Sequence, residues 1–328
     1  MRDVVAMLER ALPWGAVDVP ADVLADLPTG DMPGDRVSIG PGHVATANAL
    51  LPLLVAELVP VLRASPAARA VVAVAGGSGV GKSETASLLS HFLRGLGVGA
   101  YTLSGDNYPR RVPGQNDAER LRIFRDGGTR GLVVDGLMTA ERATALRGLQ
   151  AADVDADPAH VAAQPWLASY QRAGRDALAG YLGTPAEIDF DHLSSILGQF
   201  KNGAGRLHLR RMGRGPADLW YDAVDVAEVD VLVVEWTHGA SRHLRGVDVR
   251  ILLNSTPAET LAHRRARGRD GATDSAFTAM VLGSEQELLE SQAAGVQVIL
   301  AKSGERLSYP RFRALMSGGS DGQERAGG

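Results

Sequence analysis

A glycine-rich stretch that ends in a lysine and a serine is the strongest chemical signal in this sequence. Residues 76–83 read Gly-Gly-Ser-Gly-Val-Gly-Lys-Ser and match the pattern G-x-x-x-x-G-K-[ST] at every fixed position. Glycines in such a loop let successive backbone N–H groups point at phosphate oxygens, and the helix that follows adds the positive end of its dipole. The pattern therefore predicts a binding site for a nucleoside triphosphate.

Individual residues of this phosphate loop have distinct expected roles. We expect Lys82 to reach the β- and γ-phosphates and the Ser83 hydroxyl to ligate Mg²⁺. A glycine-rich turn with a chance lysine is the alternative, but the apolar run 70–75 before the loop and the helical spacing after it favour the phosphate loop. The residues predicted to line the nucleotide are Gly77, Ser78, Gly79, Val80, Gly81, Lys82, Ser83 and Glu84.

Two acids stand where apolar, strand-like runs end. Asp106 follows the run 100–103, and Glu235 closes the run 231–234. A carboxylate at the first position is placed to accept the proton of an attacking hydroxyl, and one at the second to hold Mg²⁺ directly or through water. The structural alternatives are an Asx turn at Asp106 and a solvent-facing strand end at Glu235, and both stay open.

Together these motifs resemble the phosphoribulokinase/uridine kinase family of P-loop kinases. The loop matches the family's Gly-x-Ser-Gly-x-Gly-Lys-Ser, and Asp106 with Tyr108 is similar to its second-strand Asp and aromatic. Phosphoribulokinases carry Glu-Gly-Leu-His-Gly after the acid strand; here the Glu, the His and the last Gly match, while residues 236–237 depart. The resemblance covers about residues 70–106 and 187–300.

The resemblance implies a phosphotransferase that uses ATP and Mg²⁺. It would transfer the γ-phosphoryl group to a hydroxyl of a small metabolite such as a nucleoside, a sugar or a polyol. Asp106 is then the general base and Glu235 the metal-associated acid, while Lys82 stabilises the transferred group. The alternative function is a P-loop ATPase or a nucleotide-dependent switch that acts on a protein partner, for which no switch segment is recognisable.

An arginine-rich segment, 264–269, follows a further strand-like run, 247–253. In the family that the chain resembles, the matching segment is a lid that closes over ATP, and guanidinium groups suit phosphate oxygens because they present forked donors. We expect Arg265 to assist catalysis and to contact ATP together with Arg269. A solvated basic helix face is the alternative interpretation.

Several polar and aromatic residues are candidates for binding the small-molecule acceptor. Basic pairs suggest an anionic or polyhydroxylated compound. Surface charge is the alternative interpretation for the arginines, and core packing for the aromatic residue. The predicted acceptor-binding residues are Asp106, Tyr108, Arg110, Arg111, Arg211 and His238.

The composition excludes some other classes of function. The chain has 328 residues, a formal net charge of −4 and no cysteine, so we expect neither a nucleic-acid partner nor a thiolate or disulfide site. The start of the sequence does not read as a signal peptide, and the most apolar stretch, 49–62, is too short and interrupted to span a membrane. These features favour a cytoplasmic protein that does not bind membranes. A homo-oligomer stays open, because kinases of this type are often multimers.

The elements that position these residues alternate between short apolar runs and helical spacing. Such alternation predicts an α/β fold with a parallel sheet flanked by helices. Together with the family resemblance, it implies a P-loop kinase-type sheet with a helical cap insertion and an Arg-rich lid. We expect an N-terminal accessory segment at 1–65, a core at 66–108 and 229–316 with the lid at about 256–290, an inserted substrate-binding cap at 109–228, and a disordered tail at 317–328.

Overall fold

The computed structural model describes residues 3–28, 32–33, 38–215, 217–255 and 275–320. The contacts between residues divide the chain into two compact units. The first unit comprises residues 1–108, 190–256 and 289–328, and the second comprises residues 109–189 and 257–288.

Helices and strands alternate along most of the described chain. The helices are α1 (Val4–Arg10), α2 (Ala21–Asp26), α3 (Pro41–Ala64), α4 (Lys82–Gly95), α5 (Pro113–Val134), α6 (Ala140–Ala151), α7 (Leu167–Ala179), α8 (Phe190–Lys201), α9 (Ala276–Gln292) and α10 (Tyr309–Ser320). The strands are β1 (Ala70–Gly76), β2 (Ala100–Ser104), β3 (Arg206–Met212), β4 (Leu219–Asp225), β5 (Val231–Glu235), β6 (Val249–Asn254), β7 (Val298–Ala301) and β8 (Arg306–Leu307).

The first unit is built on a six-stranded sheet in the order β2-β5-β1-β6-β7-β8. Its first five strands are parallel, and β8 pairs with β7 in the antiparallel direction. Every residue of β1 is buried, as expected for a valine-rich central strand covered on both faces. The predicted α/β fold with a parallel sheet flanked by helices is therefore confirmed.

A long apolar helix covers part of this sheet. Eight side chains of α3 are buried, and they belong to the hydrophobic core that also contains Val72 and Val74 of β1. Within the described residues, α3 is the one helix whose length and composition would also allow it to cross a membrane. The apolar stretch 49–62 lies within this helix, which packs on the core.

A two-stranded antiparallel hairpin, β3–β4, lies outside the main sheet but within the first unit. Arg210 pairs with Tyr221 across it, and Arg211 with Trp220. Since side chains alternate between the two faces of a strand, Arg210 and Arg211 project to opposite sides of the hairpin.

The second unit is helical, and its helices α5 and α7 approach closely. A Cβ atom built on Gly128 of α5 would lie 2.6 Å from the Tyr170 ring, and one built on Gly174 of α7 would lie 2.6 Å from the Phe124 ring. Glycine at both positions thus lets the two backbones pack with aromatic rings between them. A short 3₁₀ turn at Pro158–Val161 precedes α7.

The predicted domain boundaries remain predictions. Contacts group residues 190–228 with the sheet, whereas residues 109–189 form the helical unit, so the proposed insertion is divided after residue 189. Most of the proposed lid, residues 256–274, lies outside the described residues. So do residues 321–328 of the proposed tail.

Candidate active site

The phosphate loop joins β1 to α4, which is the strand–turn–helix context that its sequence pattern predicts. Gly81 has φ +92°, in the left-handed region that favours glycine, and it forms the N-terminal cap of α4. Gly76 has φ +154°, and a Cβ atom there would lie 2.8 Å from Leu253 O. Only glycine fits either position without displacing the loop.

Lys82 opens α4 and folds back over the loop. Its side chain is 8% exposed, and Nζ donates a hydrogen bond to Gly77 O at 3.0 Å. The ammonium group therefore already lies across the concave side of the loop, where the phosphates of a nucleotide are expected to bind.

Glu235 connects the loop to the carboxyl ends of the central strands. Its Oε2 atom accepts a hydrogen bond from Ser83 Oγ at 3.0 Å, and its Oε1 atom accepts one from Ser104 Oγ. In the sheet, Glu235 is paired with Ser104 of β2 on one side and with Val74 of β1 on the other. Parallel strands thus bring residues that are far apart in the sequence to one edge.

The pKa of Glu235 reflects its burial and the charges around it. Burial raises the pKa of the Glu235 carboxyl, and the negative charge of Asp106 raises it further, to about 8. Lys82 and the two serine hydrogen bonds act in the opposite direction and favour the ionised carboxylate. The two predicted acids and the predicted lysine therefore influence one another in the first unit.

Asp106 lies in a 3₁₀ turn, Gly105–Asn107, directly after β2. The Trp236 indole packs against this turn so closely that a Cβ atom on Gly105 would lie 2.1 Å from Trp236 Cγ. Trp236 is 1% exposed and follows Glu235 in the chain. Trp236, one of the two residues that depart from the phosphoribulokinase pattern, thus packs against the turn that carries Asp106.

The oxygen ligands at this edge fit the predicted magnesium ion. Ser83 supplies a hydroxyl, and Glu235 and Asp106 supply carboxyl groups, which are the hard ligands that Mg²⁺ prefers. Because Asp106 opposes the ionisation of Glu235, a cation close to both carboxyl groups would favour their ionised forms.

The predicted acceptor-binding residues are distributed over both units. Tyr108 is fully buried, with its ring 5.5 Å from that of His192, and His238 is buried with its ring 5.3 Å from that of Trp236. In the second unit, Arg110 Nε donates to a backbone carbonyl at 2.7 Å.

The other predicted arginines lie in different parts of the chain. Arg111 lies in the second unit and donates to Tyr181 Oη at 2.9 Å. On the hairpin, Arg211 Nε donates to Asp222 Oδ2 at 2.9 Å. Arg265 and Arg269 lie outside the described residues.

Two residues near the loop were missed by the sequence analysis. Ser104 is recognisable only once β2 and β5 are known to be neighbours in register. His43, at the start of α3, has its Cδ2 atom 3.0 Å from the position of a Cβ atom on Gly81, and no sequence pattern indicates that contact. Both depend on contacts between distant segments.

The chain shares sequence and structural similarity with known proteins. No family model matches the chain. The bifunctional alpha-galactosidase/sucrose kinase AgaSK of Mediterraneibacter gnavus is 35% identical over 236 residues, which are 72% of this chain and 20% of that protein. The chain therefore spans about a fifth of the length of this curated relative.

Two solved structures are similar at lower identity. One, described as a fructose transport system kinase from a Silicibacter species, is 17% identical with a TM-score of 0.44, over 76% of this chain and 94% of the other. The other, a phosphoribulokinase from Rhodobacter spheroides, is also 17% identical with a TM-score of 0.43, over 71% of this chain and 70% of the other.

Proposed function

We propose that this chain is an ATP-dependent kinase that transfers the γ-phosphoryl group to a hydroxyl of a small carbohydrate. The observation that carries the proposal is the grouping of Lys82, Ser83 and Glu235 at one edge of the sheet, with Asp106 acting electrostatically on Glu235. A triphosphate-binding loop beside a strand-end acid suits transfer to an alcohol, since a carboxylate at that position can accept the hydroxyl proton.

Nucleotide binding rests on the loop and its lysine. The backbone N–H groups of residues 77–83 would hold the phosphate oxygens, and Lys82 would exchange its bond to Gly77 O for one to a phosphate oxygen. Mg²⁺, when bound by Ser83 and Glu235, would neutralise charge on the phosphates. A buried, preorganised lysine costs little reorganisation when the transition state forms.

In the proposed transfer step, Asp106 accepts the proton of the acceptor hydroxyl. An acceptor hydroxyl oxygen forms a bond to the γ-phosphorus, the bond from that phosphorus to the bridging oxygen of ADP breaks, and the hydroxyl proton passes to the Asp106 carboxylate. Positioning by the Gly105–Asn107 turn and charge neutralisation by Lys82 would supply most of the rate enhancement.

A carbohydrate is the acceptor that we favour. The curated relative is named in part as a sucrose kinase, and it aligns with most of this chain. Because the chain spans only about a fifth of that protein, sucrose itself is not carried over.

The test is a screen of candidate alcohols for stimulated ADP release, followed by identification of the phosphorylated product. We expect at least one carbohydrate to increase ADP release and to gain one phosphoryl group. ATP consumption that is indifferent to every added alcohol would refute the proposed kinase activity. The Lys82→Ala variant serves as the control for contaminating ATPases, since it retains the rest of the loop.

A further inference from the structure

Arg210 is a buried cation without a counter-charge among the residues that the structure describes. It lies on β3 with 7% of its surface exposed, and its Nε atom has no hydrogen-bond partner. Within the described chain, its guanidinium group makes no ion pair. Buried arginines are ordinarily paired, because removing a charge from water is unfavourable unless a partner compensates.

Arg211, the next residue, shows the ordinary arrangement. Its guanidinium pairs with Asp222 at 2.9 Å and also donates to Tyr101 Oη at 3.2 Å. Both arginines are 7% exposed, so burial does not distinguish them. They differ in their partners: Arg211 has an anionic partner within the hairpin, whereas Arg210, on the opposite face, has none among the described residues.

The surroundings of Arg210 place it on the same side of the first unit as the predicted base. Arg210 faces Tyr221 across the hairpin, and the Tyr221 ring lies 5.8 Å from that of His192. His192 in turn lies 5.5 Å from the ring of Tyr108, which follows Asp106 by two residues. Ring contacts thus lead from Tyr221, the cross-strand neighbour of Arg210, to the turn that carries Asp106.

A backbone hydrogen bond independently places β3 next to the turn that carries Asp106. The N–H group of Met212, two residues after Arg210 on β3, donates to Asn107 Oδ1 at 2.9 Å. Asn107 is the immediate neighbour of Asp106. Two residues of strand correspond to only about 7 Å along the chain, so Arg210 is attached to β3 close to the proposed site of transfer.

We propose that Arg210 binds an anionic group, a phosphate or a carboxylate, on the acceptor of the proposed kinase. This inference rests on the proposed function and narrows its acceptor to a sugar phosphate or a sugar acid. A guanidinium suits either group because it presents two parallel N–H donors to two anionic oxygens. The ligand would supply the negative charge that the described protein does not place beside Arg210.

The first test measures binding without requiring turnover. Neutral sugars, their monophosphates and the corresponding aldonic acids are titrated into the protein while its phosphate loop is saturated with Mg²⁺ and a non-hydrolysable ATP analogue. Affinities are measured by calorimetry for the wild type, Arg210→Gln and Arg210→Lys. The matched control is Arg206→Gln, because Arg206 lies on the same strand and face as Arg210 but is exposed.

We expect at least one anionic sugar to bind the wild type and the Arg206→Gln variant equally. Arg210→Gln should weaken that binding by about 10- to 100-fold, the loss of a charge-assisted hydrogen-bond pair, and Arg210→Lys should restore part of it. The affinity for the ATP analogue should not change. If no anionic sugar binds, or if Arg210→Gln binds it as well as the wild type, the inference is wrong.

Thermal unfolding without ligand separates this role from a structural one. Since Arg210 lacks a partner in the described protein, Arg210→Gln should unfold at the same temperature as the wild type or higher. Unfolding several degrees lower than Arg206→Gln would identify Arg210 as a structural residue and overturn the inference. A failure of the kinase proposal gives a different result. In that case no acceptor stimulates ADP release by the wild type, regardless of which sugars bind.

Discussion

Ser83 Oγ lies 3.0 Å from Glu235 Oε2, and this hydrogen bond joins the phosphate loop to the end of β5. The two residues are 152 positions apart in the sequence. The bond brings a hydroxyl and a carboxyl group together at the edge where β1 and β5 end, and the other oxygen of the same carboxyl group is held by Ser104. Both oxygens of Glu235 are thus oriented by serines before any ligand binds.

Lys82→Ala should weaken nucleotide binding and slow transfer together. The variant removes the charge that lies over the loop, but it leaves the glycines and their backbone N–H groups in place. We expect the KM for ATP to rise and kcat to fall, each by about tenfold or more. Initial-rate kinetics at varied ATP measure both effects, and unchanged constants would contradict the role proposed for Lys82.

Asp106→Asn should reduce transfer while leaving nucleotide binding nearly intact. The amide cannot accept the proton of the acceptor hydroxyl, so we expect kcat to fall by about 100- to 10,000-fold. Calorimetry with an ATP analogue measures binding separately. The control is Asp126→Asn, an exposed residue of α5 that pairs with Arg130. Equal losses of binding and of transfer in Asp106→Asn would argue against its assignment as the base.

Glu235→Gln should alter how the stability of the nucleotide-free, Mg²⁺-free protein depends on pH. The unfolded chain releases this proton near the ordinary pKa of 4.5, while the folded protein retains it up to a pKa of about 8. The free energy of unfolding therefore falls as pH rises between these values, by up to about 1.4 kcal/mol per pH unit.

Glutamine does not titrate, so the variant should have a flatter stability profile over that range. Urea unfolding at several pH values measures it, with exposed Glu141→Gln as the control. Identical slopes in Glu235→Gln and the wild type would show that Glu235 keeps an ordinary pKa.

Gly105→Ala should disturb both stability and transfer. The added methyl group would lie 2.1 Å from Trp236 Cγ, so either the indole or the turn carrying Asp106 must move. We expect a loss of stability of about 1–3 kcal/mol, as for other overpacked sites, and a fall in kcat. Chemical unfolding and steady-state kinetics provide the two measurements.

A matched glycine on α8 provides the control. A Cβ atom on Gly198 would meet no atom within 4 Å, so Gly198→Ala should keep full activity and be as stable as the wild type or slightly more stable. If Gly105→Ala behaves like Gly198→Ala, the Trp236 contact does not position Asp106.

Local patterns in the sequence determined the elements and the nucleotide loop. The spacing in 76–83 specifies a turn that only glycines can make, and the apolar runs before the loop and before Glu235 specify buried parallel strands. Such signals are readable because each depends on residues that are close together in the chain. Asp106 and Glu235 were identified for the same reason, since each directly follows or ends a strand.

The tertiary structure alone decided which side chains meet and which charges are compensated. The strand order β2-β5-β1 sets Ser104 beside Glu235, and the packing of Trp236 on Gly105 orients the turn of Asp106. Arg210 and Arg211 are equivalent in sequence, yet the pairing of β3 with β4 gives Asp222 to one of them and leaves the other without an anion in the described chain. Strand register and burial produce this difference. Both are set by contacts between segments that are distant in the sequence, and no local sequence pattern indicates such contacts.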